Sequence, residues 1–200
     1  MGKLIVIVGN TGAGKTTLVR ALAATGRFVT GMEGHGERPF HALFKEDPRF
    51  ALANQIDFLL LRAEQECQLR SSDKAGLQDG GLEQDFHGFT KLFRNKGLLS
   101  PEEFTLCERL YRHIRSAQPP PEAIVRLTAP LDVIAERFTR RGRPIEIAER
   151  EDLACIETLL DDWLAGVDPG RLLRLDVSAD DPRCERILPS VLDFISSIKS

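Results

Sequence analysis

The chain has 200 residues, 42% of them hydrophobic, enough apolar material for one globular domain with an ample core. Its net charge of −3 excludes a dedicated nucleic-acid-binding face, because phosphate backbones demand clustered Lys and Arg. No apolar stretch approaches the roughly 18–20 residues of a membrane span, and the chain enters an apolar strand too early to leave room for a signal peptide, so a soluble, cytoplasmic protein is expected.

The first strand, over residues 3–8, runs directly into Gly9-Asn10-Thr11-Gly12-Ala13-Gly14-Lys15-Thr16-Thr17. Gly9, Gly14, Lys15 and Thr16 satisfy the phosphate-binding (Walker A) pattern G-x-x-x-x-G-K-[ST]. The glycines let consecutive backbone N–H groups turn inward onto phosphate oxygens. Lys15 brings a point charge to the β- and γ-phosphates, and the Thr16 hydroxyl is a ligand for Mg2+. The helix that starts there points its positive end at the same anion. A nucleoside triphosphate such as ATP, with Mg2+, is therefore the expected ligand.

Beyond the loop, strands and helices alternate. The pattern predicts a helix over 16–24, a strand over 27–32, a long helix over 50–69 and a short strand over 75–79. Helices follow at 83–95 and 101–116, the second opened by Ser100, Pro101 and Glu103 in capping-box spacing. Pro119-Pro120-Pro121 is a stiff connector to a strand over 123–128. Helices at 130–141 and 148–165, a strand at 171–177 and a last helix at 182–198 complete the chain. Cys67, Cys107, Cys155 and Cys184 lie far apart with no C-x-x-C pair and read as reduced thiols in helical segments. This alternation predicts an α/β, three-layer P-loop kinase fold: a central five-stranded parallel sheet flanked by helices, in a single domain over residues 1–200.

A GTPase would carry an N-K-x-D base-reading motif, and none occurs. Small kinases remain, and the chain resembles the deoxynucleoside kinase family, with its bacterial deoxyadenosine and deoxyguanosine kinase-like members. The resemblance implies roles for particular residues. Glu33, eighteen residues after Lys15, matches the glutamate that acts as general base on the sugar 5′-hydroxyl. Gln55 and Arg62, seven residues or two helical turns apart, match the base-reading glutamine and arginine, and Asp85 matches the aspartate that pairs with that arginine. In the family such a pair goes with purine deoxynucleosides or deoxycytidine rather than thymidine. Arg137, Arg141, Arg143 and Glu146 match the family's lid, R-x-x-x-R-x-R-x-x-E, placed here at about 137–147. Its arginines would clamp phosphates and stabilise the transferred group, and Glu146 would contact the sugar 3′-hydroxyl.

Where the family writes Asp/Glu-Arg-Ser after its third strand, this chain reads Asp79-Gly80-Gly81. Asp79 keeps the carboxylate that helps hold Mg2+, while Gly80 removes the arginine; Arg38 is a candidate replacement. Three readings follow. The leading one is ATP-dependent phosphorylation of a deoxynucleoside 5′-hydroxyl. The second is a thymidylate-type nucleoside monophosphate kinase, which Glu33 disfavours by repelling an acceptor phosphate. The third is a catalytically impaired nucleotide-binding subunit or switch, supported by Gly80. The resemblance also implies a homodimer through the helices after the second and third strands, a small-molecule nucleoside substrate, and no nucleic-acid or membrane partner.

Overall fold

The structure is a computed structural model that describes residues 2–31, 38–141 and 149–198. Five parallel strands, β1 (Leu4–Gly9), β2 (Phe28–Gly31), β3 (Ala75–Asp79), β4 (Ala123–Thr128) and β5 (Leu172–Asp176), form one sheet in the order β2-β3-β1-β4-β5. The expected five-stranded parallel sheet and P-loop kinase layering are what the chain adopts.

All six residues of β1 are buried, as a central strand covered on both faces requires. Ile5 and Ile7 join Leu18, Leu22, Val125, Val191 and Ile195 on one side, beneath α1 (Lys15–Ala23) and α9 (Leu188–Ser197). Leu4, Val6 and Val8 face the other way, onto Leu69 of α3 (Ala51–Arg70) and Leu164 of α8 (Leu153–Leu164). The strand's period of two therefore sorts its side chains into the two cores of a three-layer fold. A third apolar cluster joins α3 to α6 (Pro101–Ala117) through Leu59, Phe86, Phe93, Cys107 and Ile114.

Between β3 and α6 the expected single helix is three pieces in series: α4 (Leu82–Gln84), a π-helical turn over Asp85–Thr90, and α5 (Lys91–Asn95). The wide turn rotates Asp85 and Phe86 inward together, both buried. α6 starts as expected, with Glu103 N–H donating to Ser100 Oγ at 3.1 Å and Ser100 N–H to Glu103 Oε2 at 2.7 Å.

Three expectations need correction. A helix not foreseen, α2 (Pro39–Glu46), begins at Pro39, whose ring suits a first helical position. The last helix begins at Leu188, not near 182, because Asp181 instead accepts the N–H groups of Glu185 and Arg186 in a turn. Cys184, in that turn with φ +57°, is accordingly not helical, although all four cysteines are free thiols as expected. α7 (Leu131–Arg141) matches the expected helix.

Candidate active site

The sheet order places β1 between β3 and β4, so the loop after β1 opens at the carboxyl ends of the strands, where open α/β sheets bind ligands. Register does the rest: Ile7 is the partner of Asp79, which brings the end of β3 beside the start of α1. There Thr16 Oγ1 donates to Asp79 Oδ2 at 2.5 Å. Asp79 is 1% exposed, and its second oxygen, Oδ1, has no hydrogen-bond partner among the described residues. A hydroxyl beside a carboxylate with an unused oxygen suits Mg2+, which prefers few protein ligands and completes its shell with water and phosphate.

The loop itself has the geometry that phosphate binding needs. Lys15 Nζ folds over it, donating to the carbonyls of Gly9 at 3.0 Å and Asn10 at 3.1 Å. Gly12 sits at φ +88°, and a Cβ there would come within 3.2 Å of the Ile134 carbonyl and 3.3 Å of the Phe138 nitrogen. The backbone of α7 thus abuts the loop closely, and only glycine fits.

Two of the expected base-reading residues pair directly, and the third joins them through Thr90. Arg62 Nε donates to Asp85 Oδ2 at 2.7 Å in a pair that is 1% and 8% exposed. Gln55 Oε1 accepts from Thr90 Oγ1 at 2.8 Å, and the same hydroxyl donates to the Asp85 carbonyl at 3.1 Å. A buried fork of donors beside a carboxylate and an amide can read a planar ring edge.

Other expected residues are placed differently or not at all. Arg38 forms an ion pair with Asp57 on α3, with Nε donating to Oδ2 at 2.5 Å and Nη2 to Oδ1. The guanidinium beside Gly80 belongs to Arg62. Arg137 donates to the carbonyls of Val177, Ser178 and Ala179 at 2.7–3.3 Å, so its guanidinium ties α7 to the turn after β5. Glu33, Arg143 and Glu146 lie outside the described residues, as does the side chain of Arg141.

The family model described as Deoxynucleoside kinase matches residues 5–196. This chain belongs to the deoxynucleoside kinase family. It is 26% identical over 200 residues to the deoxyadenosine/deoxycytidine kinase of Bacillus subtilis, covering 98% of this chain and 92% of that one. It is also 26% identical over 161 residues to the deoxyguanosine kinase of the same organism, covering 80% and 75%. The fold superposes on deoxyadenosine kinase from M. mycoides with the products dCMP and a flexible dCDP bound, at a TM-score of 0.82 and 18% identity, over 98% of this chain and all of that one. The same protein with bound dATP gives 0.79.

This deoxynucleoside kinase carries three site-adjacent groups that sequence reasoning missed. Gln84 Oε1 accepts the Gly9 N–H at 2.9 Å, fixing the entry to the loop from the acceptor side. Glu157 Oε2 accepts from Asn10 Nδ2 at 3.0 Å, fixing it from α8. Glu83 lies between Asp79 and Asp85 in sequence and is buried with Glu66 around a single guanidinium, Arg115. Burial pushes the Glu83 carboxyl up to about 7 and Glu66 upward as well, against the pull of Arg115. Spacing could not reveal any of the three, because each contact spans dozens of residues.

Proposed function

We propose that this kinase transfers the γ-phosphoryl group of ATP, with Mg2+, to the 5′-hydroxyl of a purine deoxynucleoside or deoxycytidine. The carrying observation is the buried Arg62–Asp85 pair, joined to Gln55 through Thr90, with the Arg62 guanidinium beside Gly80 immediately after Asp79. Deoxyadenosine, deoxycytidine and deoxyguanosine kinases among its relatives support the same acceptor classes.

Glu33 is the proposed general base, removing the 5′-hydroxyl proton as that oxygen attacks phosphorus. The backbone of Asn10, Thr11, Gly12, Ala13 and Gly14, with Lys15 and Thr17, receives the donor phosphates; Thr16 and Asp79 hold Mg2+. Bound there, Mg2+ would neutralise charge on the donor phosphates. Arg141 and Arg143 complete the phosphate clamp from a lid over about 137–147. Arg137 serves that lid by bracing α7 on the carbonyls of 177–179. Glu146 meets the sugar 3′-hydroxyl.

One domain over the whole chain, cytoplasmic location and a homodimer complete the reading. Among the described residues no helix is long and apolar enough to cross a membrane. Leu60 on α3 and Leu106 on α6 are exposed on two helices that pack together, the helices through which family resemblance puts the dimer. Incubation with Mg-ATP and a panel of nucleosides and monophosphates tests the chemistry. Deoxyadenosine, deoxyguanosine or deoxycytidine monophosphate is the expected product; turnover of thymidine alone, or of monophosphates alone, overturns it. Light scattering on the eluted protein tests the dimer.

A further inference from the structure

A fully buried arginine stands in the sheet one strand away from the phosphate-binding loop, and the activity described above gives it no task. Arg126 lies in β4 with Val8 as its register partner and is 0% exposed. Its Nη2 donates to Glu157 Oε1 at 2.5 Å, with Asp161 Oδ1 farther off at 3.7 Å. Its Nε and Nη1 have no hydrogen-bond partner among the described residues. A buried arginine with unmet donors, paired to a carboxylate that is only partly buried, is a poor source of stability, and an apolar side chain of similar volume would fill the arginine's space at least as well. The pair must supply something that apolar residues cannot.

We propose that Glu157, seated by Arg126, is a positioning residue for the phosphate-binding loop and acts through Asn10. The inference rests on the reading of that loop as the ATP site. Glu157 uses one oxygen for Arg126 and the other, Oε2, to accept from Asn10 Nδ2 at 3.0 Å. The same Nδ2 donates to the Leu153 carbonyl at 2.8 Å, one helical turn before Glu157 on α8. Two acceptors on that side permit only the amide nitrogen there, so the orientation of the Asn10 amide is dictated by its surroundings. Its oxygen is thereby turned to Thr11 N–H, which it accepts at 2.9 Å. The Asn10 carbonyl in turn accepts from Ala13 N–H and Lys15 Nζ, both at 3.1 Å. The side chain at 157 thus sets the first turn of the loop and the place from which Lys15 reaches the phosphates. Without an acceptor at 157 the Asn10 amide loses one of its three hydrogen bonds, and the loop must be ordered at the expense of ATP binding.

Two paired substitutions separate positioning from packing, since both remove the buried charges and conserve volume. R126M/E157Q keeps an oxygen able to accept from Asn10, whereas R126M/E157L does not. Calorimetric titration with Mg-ATP is expected to give affinity within about threefold of native for the first and about tenfold weaker for the second, the scale of one lost hydrogen bond. The KM for the deoxynucleoside stays unchanged in both, because neither change touches Arg62, Asp85 or Gln55. Equal ATP affinity in the two variants overturns the proposal. Should R126M/E157L not fold, R126M/E157A carries the test: a similar loss of ATP affinity with unchanged nucleoside KM supports it, and the affinity of R126M/E157Q overturns it. Native protein that binds no ATP overturns the donor-site reading itself, and that failure is visible before any variant is made.

Discussion

Arg62 occupies the space above Gly80: its Nη2 lies 3.3 Å from where a Cβ of residue 80 would stand. Gly80 has φ +86°, a left-handed backbone that costs any residue with a Cβ about 1–2 kcal/mol. The missing side chain therefore gives Arg62 its room, and the guanidinium beside Gly80 comes from α3. Gly80→Ala is expected to lower stability by that amount and to raise the deoxynucleoside KM, because the new methyl presses on the Arg62 fork. Thermal unfolding and steady-state kinetics check it; unchanged values of both would show that Arg62 yields freely.

The Arg62–Asp85 pair is buried and hydrogen-bonded, so removing one partner strands a charge. Arg62→Met or Asp85→Leu alone should cost about 3–5 kcal/mol, whereas the double variant R62M/D85L should recover most of that stability. Deoxynucleoside phosphorylation should not recover with it, because the polar edge proposed to read the base is gone. Parallel measurement of denaturant midpoint and turnover separates the two effects. Activity restored along with stability would mean that the pair is structural only.

The strand pattern and phosphate loop were legible because their signals are local: an apolar run, fixed glycine spacing and a lysine at a set offset. The same holds for Ser100 and Glu103, whose capping contacts span three residues. Gln55, Arg62 and Asp85 became legible through family spacing, and the structure brings them together. The Arg38–Asp57 ion pair is not legible in the sequence, because the two residues are nineteen positions apart and only the docking of α2 on α3 brings them together. α2 itself was missed because its eight residues follow a glycine-rich stretch and only one, His41, is buried. Arg126 and Glu157 look in sequence like a polar break in a strand and one acid of many on a helix. Their meaning exists only across the sheet.

Thr16 and Asp79 test the metal site. Asp79→Asn keeps size and hydrogen bonding but removes the charge that draws Mg2+ to the unused Oδ1. Turnover with Mg-ATP should fall on the order of a hundredfold or more, the scale of losing one preorganised electrostatic contact. ATP affinity measured without metal should be unchanged or improved, since a negative charge near the phosphates has gone. Removal of divalent cations with a chelator should abolish turnover of the native kinase. Full activity of Asp79→Asn at saturating Mg2+ would sink the assignment.

Glu83 makes stability depend on pH in a direction opposite to that of a salt-bridged surface acid. Its carboxyl is pushed from 4.5 to about 7, chiefly by burial, with Glu66 adding repulsion and Arg115 and Arg171 opposing both. Between those values the folded state keeps a proton that the unfolded chain has released, so the folded state loses stability as pH rises through that window. Below about 4.5 both states are protonated and the penalty is absent; above 7 it is complete, about 3 kcal/mol on the scale of 1.36 kcal/mol per unit. Glu83→Gln removes that titration and leaves Arg115 one carboxylate, Glu66, which accepts its Nη2–H at 2.5 Å. Tyr111, also pushed upward by burial and by the charge of Glu83, stays neutral throughout the range. The variant should therefore gain Tm over the native protein at pH 8, and the gain should shrink toward pH 5. An equal difference at the two pH values would mean that Glu83 does not carry the titration.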